Sequence, residues 1–141
     1  MDFTSQICTT KEQSKKLISL GLKAETADMC YQAHYFKVDG ISLDCIYSLE
    51  PHPPLNNDDY IPAWSLHRLI VMMPKILIKD LSRWYLSIIP YYNDMVSYDY
   101  CGVMEPCYLF KGNHNNVYTN IINCIEWLIK EGHFNKEYLK K

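Results

Sequence analysis

The chain has 141 residues, about one domain's worth at ~100–200 residues per domain. Its 48% apolar and 21% charged residues, with Gly 5 and Pro 7, exclude disorder, collagen-like repeats and a disulfide mini-scaffold. The 14 basic and 16 acidic residues give a formal charge of −2, so no global field favours nucleic acid or an anionic membrane. Aromatic content stands out, with 12 Tyr, 4 Phe and 3 Trp.

The first expected element is a helix. Thr10-x-x-Gln13 has capping-box spacing, Thr9-x-x-Glu12 offers the same in the neighbouring register, and Gly21 supplies a stop. A shorter helical turn is expected from Thr26, carrying Met29. Two short strands follow, Tyr35–Val38 and Ile41–Tyr47, with Asp39-Gly40 as the hairpin turn, because both central residues of a type I′ turn need positive φ. The stretch 48–62 holds four of the seven prolines and the cluster Asn56-Asn57-Asp58-Asp59, and reads as one long loop. A helix then runs from the Ser65 N-cap to the Pro74 stop, apolar almost all round and therefore expected to be largely buried.

Two alternating runs, Arg83–Ile89 and Met95–Cys101, read as a hairpin across Pro90–Asp94, and Cys107–Lys111 as a further strand. The clearest helical stripe comes last. It starts at an Asn116 N-cap, carries Tyr118, Ile121, Ile122, Ile125, Leu128 and Ile129, and ends at Gly132. A short polar tail, 135–141, closes the chain. Strands that follow one another through short turns argue for an α+β fold, with a small antiparallel sheet packed against three main helices in a single domain over 1–141.

Six cysteines need a compartment before a chemistry. No apolar segment follows a positive start, and the longest run of large apolar side chains, Leu69 to Met73, is far short of the ~20 residues of a membrane span. The expectation is a cytoplasmic protein without membrane attachment, whose cysteines are free and mostly buried thiols. Zinc would need two close ligand pairs. Cys30-x3-His34 has one tolerable spacing, Cys101-x5-Cys107 is wide even with His114 as a third ligand, and no CxxC occurs. Core cysteines and turn histidines account for these positions without a metal, and no cofactor is expected. Cys/His catalysis needs a thiolate beside a base, and the sequence singles out no such pair. The carboxylates Asp58 and Asp59, or Asp94 and Asp99, would have to sit in different environments for acid–base work, whereas neighbours in a polar loop share one.

Two surfaces merit more weight. Between Lys37 and Arg68 there is no basic residue, while Asp39, Asp44, Glu50, Asp58 and Asp59 all fall there. This acidic patch suits either a basic partner or a solvated loop that protects a hairpin edge. Tyr85, Tyr91, Tyr92, Tyr98, Tyr100 and Tyr108 crowd the second hairpin and its successor, giving large apolar area with polar tips. On the last helix, Trp127 projects roughly opposite a stripe centred on Tyr118, Ile122, Ile125 and Ile129, so it is expected at a contact surface or under the tail residues Phe134 and Tyr138.

Three blocks carry a resemblance: Glu25-Thr26-Ala27-Asp28-Met29, Pro62 to Leu69 running on to Met73-Pro74-Lys75, and Ile121 to Gly132. Together they resemble a group of small uncharacterised proteins of prophages and mobile elements in anaerobic gut bacteria. The resemblance implies an accessory role in a mobile element and carries over no site residues. The reading is a non-catalytic protein-interaction domain, with a protein partner or a second copy of the chain, and with Trp127, Tyr91, Tyr92, Asp58 and Asp59 as its candidate surface. The alternative is a small-ligand-binding protein or enzyme with a pocket beside the sheet. Nucleic acid is disfavoured by charge.

Overall fold

The computed structural model describes residues 5–38, 40–51, 60–90, 92–100, 107–114 and 116–141. It divides into two compact units, Met1–Arg68 and Leu69–Lys141. The fold is α+β, with two antiparallel sheets where one was expected.

In the first unit, helix α1 (Lys11–Ser19) begins at the anticipated capping box. The Gln13 N–H donates to Thr10 Oγ1 at 3.2 Å, and the Thr10 N–H donates to Gln13 Oε1 at 2.9 Å. The helix ends in a Schellman motif, with the Gly21 N–H on the Ile18 carbonyl and the Leu22 N–H on the Leu17 carbonyl. Gly21 takes φ 98°, which a side chain would strain, and Leu17 and Leu22 are both buried across the closure. Strands β1 (Met29–Val38) and β2 (Ile41–Pro51) form the hairpin read from Asp39-Gly40, and β3 (Tyr60–Ala63) adds to β1, giving the order β2-β1-β3.

Three expectations are corrected here. Met29 opens β1 instead of riding on a helical turn, which closes earlier, at Ala24–Thr26. Both ends of the expected 48–62 loop are strand, because Ser48–Pro51 extends β2 against Met29–Gln32 and Tyr60–Ala63 pairs with the same four residues. Helix α2 (Leu66–Met72) buries Leu69 and Met72 but leaves His67 and Val71 exposed, so it is one-sided.

Trp64 anchors the first unit with 0% exposure. Its ring Nε1–H donates to Thr26 Oγ1 at 3.0 Å, and its backbone N–H to Thr9 Oγ1 at 3.1 Å. Thr9 N–H returns a bond to the Trp64 carbonyl at 2.9 Å. Asp28 accepts from both the backbone and the hydroxyl of Ser65, whose oxygen in turn accepts from the Arg68 N–H as the α2 cap.

The second unit holds the sheet β4-β5-β6-β7, from Ile76–Lys79, Ser82–Ile89, Met95–Tyr100 and Cys107–Gly112, with helix α3 (Val117–Lys130) against β6 and β7. Strand β4 was not anticipated. Asn116 caps α3 by accepting from the Tyr118 and Thr119 N–H groups, and a second Schellman closure runs through Gly132.

Asn120 of α3 is fully buried and fully engaged. Its Oδ1 accepts from the His114 N–H at 2.7 Å, and its Nδ2 donates to the carbonyls of Asp94 at 2.8 Å, His114 at 2.9 Å and Asn93 at 3.2 Å. Asn93 and Asp94 both lie at positive φ, 52° and 49°, in the turn joining β5 to β6. Replacing Asn120 by Ala strands a buried N–H and several carbonyls. Urea denaturation is expected to show a loss of about 2–4 kcal/mol, and a loss below about 1 kcal/mol would contradict this role.

Candidate functional site

The two faces of the four-stranded sheet differ in chemistry because side chains alternate along each strand. Leu77, Trp84, Leu86, Val96, Tyr98 and Phe110 share the face that meets α3. Trp127 lies on this face. Its ring centroid is 5.4 Å from Phe110 and 6.0 Å from both Tyr98 and His133. The wheel placed Trp127 opposite the buried stripe, but α3 buries Asn120, Cys124 and Leu128 as well as Tyr118, Ile121, Ile122 and Ile125. That arc covers more than half the helix, and Trp127 sits at its edge, next to Asn120 in projection. The ring is half-buried within its own unit.

The opposite face starts at the sheet edge. Ile76 pairs with Tyr85 and Ile78 with Arg83; Tyr85 pairs onward with Asp99, and Asp99 with Tyr108. Ile76, Ile78, Tyr85 and Tyr108 are exposed, Ile78 at 71%. The same face closes over toward Met95 and Ser97, which are buried, so the open region is the half beside the β4–β5 turn. That turn is Asp80-Leu81, at φ 51° and 64°, between the paired residues Lys79 and Ser82. Two residues at positive φ match a type I′ turn, for which Asn-Gly or Asp-Gly is the usual pair. Leu81 takes the glycine position with a relative exposure of 102%. A shallow groove of about 310 Å³ beside it is lined by Leu81, Ser82, Arg83, Tyr85 and Tyr100. At this size it sits at the floor of the ~300–1,000 Å³ usual for ligand sites.

Of the surface residues named from sequence, Tyr92 is exposed at 58%. Tyr91, Asp58 and Asp59 lie outside the described residues, as does Asp39 of the acidic patch. The alternation that exposes Ile76 and Ile78 had no sequence signal beyond a three-residue apolar run between Lys75 and Lys79.

One polar cluster lies elsewhere in the chain. On the first unit's sheet, His34 Nε2 and Ser48 Oγ are 2.6 Å apart, and Ser48 donates to Glu50 Oε1 at 3.1 Å. Glu50 engages the serine and not the imidazole, so the carboxylate does not orient a general base as a catalytic triad requires. Among the described residues no three His, Cys, Asp or Glu side chains converge as metal ligands. The Cys30-x3-His34 spacing gains no third ligand among them, and Cys101 of the Cys101-x5-Cys107 spacing lies outside the described residues. None of the described helices is long and apolar enough to cross a membrane. The chain matches no protein-family model, and neither curated proteins nor solved structures give a match.

Cys8, Cys30, Cys107 and Cys124 are free thiols, and Cys107 alone of these is exposed. Burial raises the pKa of Cys8, Cys30 and Cys124 above the ordinary thiol value, so these three stay protonated and unreactive at neutral pH. Folding thus favours the protonated thiols, and their contribution to stability is lost as pH climbs past the unfolded value of 9.0. Alkylation of the native protein near pH 8, read by peptide mass mapping, is expected to label Cys107 well before Cys8, Cys30 or Cys124. Equal rates at all four would contradict the burial that defines both cores.

Proposed function

We propose that the protein is a non-catalytic interaction domain that engages another protein through the open half of its four-stranded sheet. The observation that carries this reading is Leu81. A leucine at positive φ costs roughly 1 kcal/mol relative to glycine, and this one contacts water on all sides. Its side chain returns no packing energy within the unit, so the local rule is broken without a structural gain. Such violations concentrate at functional sites.

The neighbouring residues extend the same logic. Ile76, Ile78 and Tyr85 are exposed on one face together with Arg83, and Leu81 stands at the turn end of the same hairpin, the mix of aromatic, aliphatic and arginine side chains found at interface centres. The resemblance of three sequence blocks to small prophage proteins supports an accessory role in a mobile element.

Leu81→Gly separates stability from function. The variant is expected to gain up to about 1 kcal/mol in urea denaturation, because glycine relieves the turn. Affinity capture from the native host, with wild type and variant as parallel baits, is expected to lose its enriched proteins on the variant. Identical enrichment on both baits would remove this surface from the function.

A further inference from the structure

Building on the interaction surface above, the geometry points to strand addition at β4, with an extended acidic segment of a partner protein as the added strand. Hydrogen-bond parity fixes which residues of β4 face outward. The Leu86 N–H donates to the Lys75 carbonyl at 3.0 Å, and Lys79 and Ser82 close the two-residue turn. In an antiparallel pair every second residue turns its N–H and C=O toward the neighbour. Lys75, Leu77 and Lys79 therefore face β5, while Ile76 and Ile78 turn their backbone groups outward. Strand β5 is the neighbour of β4 among the described residues, so these outward groups lie along the sheet's edge. They form the ladder that an incoming strand would complete.

Side chains set the chemistry of that strand. Lys75, Lys79 and Arg83 are all exposed around β4, and no carboxylate lies within the strand itself. Asp80 stands in the turn, and Asp99, two strands in, accepts a bond from Ser97. Alternation puts Lys75 and Lys79 on the face opposite Ile76 and Ile78, so an added strand with apolar residues against the two isoleucines carries its carboxylates to the two lysines. A second copy of β4 does not. Pairing Ile76 with Ile78 of another copy sets Lys75 opposite Lys79 twice, and like charges directly opposite are destabilising; the antiparallel registers that avoid this match only one isoleucine of each copy.

The test uses the full chain labelled for amide NMR and a blocked octapeptide alternating Glu and Val, with its Lys–Val counterpart as control. The acidic peptide is expected to shift and protect the Ile76 and Ile78 amides, while the lysine peptide leaves them unchanged. Salt near 1 M, where the Debye length is ~3 Å, should weaken the effect. Ile78→Pro removes one outward donor and leaves the bonds to β5 in place, as edge prolines do. It is expected to cut affinity about tenfold or more, with Leu77 and Lys79 amides still protected to show that the hairpin persists. Unperturbed Ile76 and Ile78 amides at millimolar acidic peptide, or equal binding of the lysine peptide, would overturn strand addition by an acidic segment. So would a dimer in sedimentation that Ile78→Pro dissolves, since a second copy would then occupy the edge. If capture still depends on Leu81 in any of these cases, the interaction surface stands and only the mode of docking falls.

Discussion

A buried carboxamide cut off from water must find its partners inside the protein, and Asn120 does so across three segments of the second unit. It joins α3 to the Asn93–Asp94 turn and to the backbone of His114, where β7 hands over to the helix. Each unpaired buried group would cost about 1–3 kcal/mol, against a typical total stability of 5–15 kcal/mol. Exposed ion pairs such as Lys130–Glu126, at 3.2 Å on the same helix, contribute at most about 1 kcal/mol. The buried amide therefore outweighs surface charge in seating α3 on the sheet. With α3 seated, Trp127, Tyr98 and Phe110 fill one face, and the opposite face is left to the edge strand β4.

The contrast between the two β-turns of this unit is instructive. Both place non-glycine residues at positive φ, Asn93-Asp94 in one and Asp80-Leu81 in the other. In the first, asparagine and aspartate tolerate the conformation and Asn120 binds their carbonyls, so the strain is compensated within the unit. In the second, leucine is poorly suited to the conformation and its side chain packs on nothing. Positive φ at non-glycine residues thus serves architecture at one end of β5 and display at the other.

Local signals were legible in the sequence where short-range chemistry decides the outcome. Thr10 with Gln13, Gly21, Gly40, Asn116 and Gly132 each act on residues within a few positions, and all mark element boundaries in the structure. Strand β3 was hidden by Pro62, which demotes a strand reading but is tolerated at a sheet edge, where β3 lies. Strand β4 was hidden by its length and by a turn lacking glycine. The position of Trp127 depended on how wide the buried arc of α3 is, a tertiary property set by the sheet beneath it. The open apolar edge was invisible for the same reason, since exposure of Ile76 and Ile78 depends on which strand ends the sheet.

Among the described residues, β4 turns the backbone groups of Ile76 and Ile78 to the outer edge of its sheet. Residue-resolved amide hydrogen exchange measures this directly. The structure requires fast exchange at Ile76 and Ile78 alternating with protection at Leu77 and Lys79, whose N–H groups face β5. Protection of Ile76 and Ile78 in the isolated monomer would show that the edge is already covered, and would contradict the account of how this surface is used.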